Sequence, residues 1–143
     1  MKLLVAMLSI VAVALSVAAL AAAGPSKEIM AGAKLDAMQE VPHPKGATGK
    51  GTFTASIVGS KLTWKLTFSG LTGPANAAHI HVGAKGKAGN VLVALCGPCK
   101  SGQTGTAKVS AMVVRDIEKG ITYVNVHTAK NANGEIRGQL AAH

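Results

Sequence analysis

Two short stretches hold the residues best suited to chemistry, Ala77-Ala78-His79-Ile80-His81-Val82-Gly83 and Tyr123-Val124-Asn125-Val126-His127-Thr128. Each alternates apolar and polar residues with period two, the pattern of a β-strand with one face toward a core. On the first, Ile80 and Val82 share one face while His79 and His81 share the other. The strand repeat holds two such side chains about 7 Å apart. On the second, Val124 and Val126 turn inward, and Tyr123, Asn125 and His127 turn outward. If the two strands are neighbours, three imidazoles converge on one spot. That is a metal site, and alternating neutral imidazoles suit copper in both of its oxidation states.

The competing reading is structural. His79 and His81 would then hydrogen-bond to a neighbouring strand, and His127 would fix the adjoining turn through Thr128 or Glu135. Around the cluster, Tyr123 and Asn125 lie beside His127, and Glu135 and Arg137 project from the polar face of the following strand. These four are candidates for orienting an imidazole. Arg137 has a second candidate role, as a clamp on Glu135 or Asp116. His43 is a fourth ligand only if the N-terminal strand passes near, and His143 is assigned no role. Met30, Met38 and Met112 are soft enough for Cu(I), yet they are spaced as core or strand residues.

Cys96-Gly97-Pro98-Cys99 is spelled like a redox-active dithiol. That chemistry needs the first thiolate at a helix N-terminus, which lowers its pKa. Here the motif follows a strand and runs into Lys100-Ser101-Gly102-Gln103-Thr104-Gly105, which opens no helix. In an exported chain with two cysteines, a structural disulfide pinning a turn is expected instead.

The elements that must position these groups are short and alternating, with Gly and Thr frequent. Strands are expected at 28–39, 49–58, 61–69, 76–82, 90–95, 104–113, 121–128 and 134–141. Val58-Gly59-Ser60-Lys61 reads as a tight hairpin turn, and Gly83 to Gly89 as a flexible loop. One helix of about two turns is expected from Met112 to Lys119, stopped by Gly120. The expected fold is all-β, a single antiparallel Greek-key β-sandwich.

The N-terminus sets the compartment. Met1-Lys2 is basic, Leu3 to Leu20 is almost unbroken apolar, and Ala21-Ala22-Ala23 precedes Gly24-Pro25. That is the form of a cleavable signal peptide over residues 1–23, with no cysteine at the cleavage point to carry a lipid. The 48% hydrophobic content is inflated by this leader, so the core is smaller than it suggests. Residues 24–143, roughly 120 in number, make one domain with no transmembrane segment after cleavage. Such a protein is periplasmic or secreted. Removing Lys2 from the 15 basic residues leaves 14 against 6 acidic ones, a net charge near +8. The lysines are scattered singly and four aromatics offer no stacking platform, which argues against nucleic acid and for acidic envelope or extracellular surfaces.

From Leu66 to Leu140 the chain resembles the CHRD domain, named for its occurrence in chordin and widespread in secreted bacterial proteins. The resemblance rests on Phe68-Ser69-Gly70-Leu71, Ala78-His79-Ile80-His81-Val82-Gly83, the Val91 to Leu95 strand and Tyr123-Val124-Asn125-Val126-His127-Thr128. Asn133-Gly134-Glu135-Ile136-Arg137-Gly138-Gln139-Leu140 follows, and Glu40-Val41-Pro42 marks the N-terminal part. It implies fold and compartment and leaves the role to the site. A weaker resemblance is to copper-binding superoxide dismutases, also Greek-key sandwiches, through His79-Ile80-His81, Val126-His127 and Gly134-Glu135-Ile136-Arg137. It lacks a bridging histidine and a zinc set in Gly83 to Gly89.

No Gly-x-Ser-x-Gly, His-Glu-x-x-His or phosphate-binding glycine loop occurs, and six acidic residues include no pair placed for glycoside hydrolysis. The primary expectation is a non-enzymatic copper-binding module using His79, His81 and His127. The alternatives are a structural or adhesive module and a copper-only dismutase-like enzyme with Arg137 steering the anion.

Overall fold

The computed structural model describes Gly24 and residues 26–143, so the signal-peptide reading of residues 1–23 lies outside the described residues. Eight strands follow in order: β1 (Glu28–Asp36), β2 (Lys50–Val58), β3 (Lys61–Ser69), β4 (Ala75–Val82), β5 (Val91–Cys96), β6 (Gln103–Lys108), β7 (Thr122–Thr128) and β8 (Ile136–Ala142). One helix, α1 (Ala111–Glu118), bridges β6 and β7. Among the described residues no helix is long and apolar enough to cross a membrane.

The strands form a single antiparallel sheet in the order β5-β4-β7-β8-β1-β2-β3-β6. Its ends, β5 and β6, are consecutive in the chain and lie close together without a ladder between them. The sheet is therefore a nearly closed barrel. Where strand spacing suggests two packed sheets, the hydrogen-bonded ladder is instead continuous. Strand spacing is the same in both architectures, because both pack alternating short strands around one core.

Alternation explains the interior. Phe53, Ala55 and Ile57 of β2 and Leu62, Trp64 and Leu66 of β3 point inward, where they meet Ile80, Val124, Val126, Ile136 and Leu140. The β2–β3 hairpin keeps unbroken register from Val58↔Lys61 to Lys50↔Ser69, and Gly59 supplies the positive φ its turn requires.

Two strands are shorter than alternation alone predicts, because polar side chains cap helical turns. Strand β1 stops at Asp36, whose carboxylate accepts from the Gln39 backbone N–H at 3.0 Å and caps a 3-10 turn. The strand expected at 104–113 ends at Lys108, because Ser110 Oγ accepts from the Val113 N–H at 3.3 Å and starts α1. Val113 and Ile117 bury the apolar side of this helix, and Gly120 ends it with a positive φ. Burial of a side chain such as Ile117 contributes about 1.5–3 kcal/mol. The helix thus carries the chain from β6 at the sheet's end back to β7, which lies beside β4.

That return decides the site. Ladder pairing sets His79 opposite Asn125, His81 opposite Tyr123, and Ala77 opposite His127. The two histidine strands are neighbours.

Candidate metal centre

Strand β7 is buried on both faces except for His127. Val124 and Val126 face the barrel core, as their alternation predicts, but Tyr123 and Asn125 on the other face are also 3% and 2% exposed. The outer face of β4, β7 and β8 is therefore a second, polar interior. The segment 83–90 covers it and is tied down at both ends. The Gly83 N–H donates to the Ile121 carbonyl at 2.8 Å, and the Val82 N–H to that of Asn90 at 3.0 Å. The loop expected at Gly83 to Gly89 thus lies against the sheet. A Cβ on Gly89 would run into the Val82 carbonyl, so glycine is what lets this backbone lie against β4.

Next to it, where His81 reaches the Gly89 carbonyl, the three histidines meet. One ligand-capable atom from each of His79, His81 and His127 lies within 4.8 Å of the other two. Ala77, directly across from His127, has only a methyl group. The His127 ring leans over it toward His79, with ring centroids 4.9 Å apart. The His79–His81 and His81–His127 centroids are 5.6 and 6.2 Å apart.

Hydrogen bonds fix which nitrogens are available. His81 Nδ1 lies 2.9 Å from the Gly89 carbonyl and His127 Nδ1 lies 2.9 Å from that of Ala132. A carbonyl only accepts, so each Nδ1 carries the proton and each Nε2 keeps its lone pair. His127 Nε2 faces His79 Nδ1 at 3.0 Å. His81 Nε2 is buried and has no partner. A lone pair left without a partner in a polar interior marks a place for a proton donor or a cation. Burial first, and then the neighbouring His127 and His81, hold His79 below its ordinary 6.5. Burial also lowers His127, against the Ala132 hydrogen bond that raises it. Both imidazoles are thus kept neutral, the form that binds metal.

The supporting residues divide. Tyr123 stacks on His81 with ring centroids 4.9 Å apart and planes 10° from parallel. Its hydroxyl accepts from the Gly89 N–H at 3.2 Å, steadying the residue whose carbonyl orients His81. Arg137 lies over the Tyr123 ring, its Cζ 3.4 Å from the centroid. His81 and Arg137 come to that ring from β4 and β8, the two strands that flank β7. Arg137 is no clamp on Glu135 or Asp116: it lies on the Tyr123 ring, donates to the Ala84 carbonyl at 3.1 Å and to Gln139 Oε1 at 3.5 Å, and reaches neither carboxylate.

Glu135 touches no imidazole. Its carboxylate accepts from the Thr72 N–H, Thr72 Oγ1 and Thr128 Oγ1 at 2.6 Å each and from Asn131 Nδ2 at 2.9 Å. Burial alone would raise it, but these hydrogen bonds outweigh burial and hold it below its ordinary 4.5. It anchors the turn that presents the Ala132 carbonyl to His127. Asn125 sits between His79 and Arg137 in the ladders, its Oδ1 buried without a partner. His43 is exposed and stands outside the cluster.

Sequence reasoning missed Glu40 as a site residue. It is 3% exposed and packs against Gly134, where a Cβ would strike its Oε1. Burial raises its carboxyl above 4.5, against the Val41 N–H and the charge of Arg137. The carbonyls of Gly89 and Ala132 were also missed, since backbone acceptors leave no trace in residue types. Cys96 and Cys99 do form a disulfide, on the core side of β5, away from the histidines.

The model of the CHRD domain family matches residues 31–140, from within β1 to within β8. The chain belongs to the CHRD domain family. Both histidine strands of this CHRD domain fall inside the match. No curated protein and no solved structure is detectably similar to the chain.

Proposed function

We propose that this CHRD domain is an exported metal-binding module holding copper through His79 Nδ1, His81 Nε2 and His127 Nε2. The reading is carried by the convergence of one ligand-capable nitrogen from each of the three histidines within 4.8 Å, in a cluster where His81 Nε2 is buried without a partner. Bonds of about 2.0 Å to each nitrogen ask for nitrogens about 3.3–3.5 Å apart. Small ring rotations close the set, and His79 changes tautomer to free its Nδ1. Three neutral nitrogens without a carboxylate or thiolate favour copper over harder cations. Export rests on the basic and apolar leader at residues 1–23 and on the disulfide, which persists in oxidising compartments. The basic surface then meets acidic envelope or extracellular material.

Titration of the metal-free domain with Cu(II) and Zn(II) tests this, alongside a His79/His81/His127 triple Ala variant. One equivalent of copper binds the wild type and none binds the variant. Equal binding by both proteins, or none by either, removes the proposal.

A second reading has its own support in the His79–His127 hydrogen bond, which together with the Ala132 carbonyl gives His127 a partner on both nitrogens without metal. There the histidines serve only a structural or adhesive module. It predicts that His127→Ala destabilises the metal-free protein strongly and that added copper leaves wild-type stability unchanged.

A further inference from the structure

Beside the segment Met38 to His43 lies a cavity of about 300 Å³ that the histidine cluster does not share. Arg137 and Lys85 supply its charge, Gln39 and Gln139 its amides, His43 an imidazole, and Met38 and Val41 its apolar wall. No acidic residue lines it. Its deepest charged group is Arg137, 1% exposed.

Buried charges are normally paired, since an isolated one costs several kcal/mol in lost hydration. Arg137 is not paired in this way. Among the described residues no carboxylate reaches ion-pairing distance of it. Its hydrogen bonds to protein both leave from Nη2, toward Ala84 and Gln139, although a guanidinium has five N–H donors. The Tyr123 ring stabilises the cation from one side but accepts no hydrogen bond in the guanidinium plane. Glu40 is buried nearby with one carboxylate oxygen unpartnered, and it does not close on Arg137. The fold holds a fixed cation at a cavity wall with donor capacity to spare. Such a fork matches the two oxygens of a carboxylate or phosphate. Met38 is 71% exposed at the same cavity, an apolar surface that water covers poorly.

We propose that this cavity binds a small organic anion, its carboxylate or phosphate against Arg137 and Lys85 and its apolar body against Met38 and Val41. A volume near 300 Å³ is at the small end of ligand sites and fits a single ring or a short chain. The histidines take no part, so the proposal stands whether or not the cluster holds metal.

The test is amide chemical-shift titration of the metal-free protein with benzoate and phenyl phosphate at constant ionic strength. Benzamide serves as the neutral counterpart of benzoate. At least one of the two anions gives saturable shifts at Val41, Lys85, Gly86 and Gln139, and benzamide gives none. Which anion binds tells carboxylate from phosphate. Arg137→Gln strips Tyr123 of its cation and puts folding at risk, so the exposed loop variant Lys85→Gln carries the comparison. It weakens binding by about fivefold or more, while Lys108→Gln, on β6, changes it by less than about twofold. The proposal is overturned if neither anion saturates or if benzamide binds as well. It also fails if Lys85→Gln has no larger effect than Lys108→Gln.

Discussion

His79 and His127 are imidazoles kept neutral by burial, and this couples the cluster to pH. Each has a folded-state pKa below its ordinary 6.5, so the unfolded chain binds more protons between the two values. Stability from these groups is complete above about 6.5 and is lost as pH falls through that value toward the lowered one. Urea denaturation of the metal-free domain should show a midpoint that declines from pH 7.5 to pH 5, with a shallower decline in a His79→Gln/His127→Gln variant. Equal slopes in the two proteins would remove this role. The proposed copper binding should weaken over the same interval, because protons compete for the lone pairs. Tyr123 and Arg137 show the residue scale in another way. Their types suggested roles around the imidazoles, but only Tyr123 touches one, and Arg137 is held away from the cluster behind its ring.

At the scale of elements, the site depends on turns that look remote from it. The turn between β7 and β8 is held by the Glu135 carboxylate through Thr72, Thr128 and Asn131, and it is this turn that aims the Ala132 carbonyl at His127. Glu135→Gln keeps the shape but loses charge-assisted hydrogen bonds, and should cost about 2 kcal/mol. Because Glu135 is held below 4.5, its stabilisation is present above that value and is lost as pH falls through the folded one. The difference between wild type and Glu135→Gln in chemical denaturation is thus full at pH 7 and shrinks below about pH 4.5. The same variant should weaken copper binding by about tenfold, through a less firmly held His127. A difference that persists unchanged at pH 3.5 would contradict this account of Glu135.

Across the whole molecule, the barrel is left open between β5 and β6, and the Cys96–Cys99 disulfide ties the turn that joins these two edges. Its loop is short, so closing it restricts the unfolded chain only modestly, by about 2 kcal/mol. Cys96→Ser/Cys99→Ser should lower unfolding free energy by about that amount. Copper affinity should stay within about twofold, since the sulfurs pack against the apolar core while the histidines lie on the opposite face of β4. A large loss of affinity in that variant would show that the seam and the cluster are coupled.

Period-two alternation in the sequence determined nearly every strand, the inward turn of Ile80, Val124 and Val126, and the shared face of His79 and His81. Those are local consequences of backbone geometry, legible wherever one side of a strand meets a core. The cysteine pair and the family resemblance were legible for the same reason, since each is carried by contiguous residues. Tertiary structure alone decided that β7 pairs with β4, that the eight strands form one continuous sheet, and that loops roof the outer face of β4, β7 and β8. It also decided that His81 and His127 are oriented by the carbonyls of Gly89 and Ala132, and that Glu40 and Arg137 are buried near each other without pairing. These depend on chain crossings and on backbone acceptors that every residue carries alike. The residue types therefore placed three imidazoles on two strands, and the long-range pairing of those strands brought the imidazoles together.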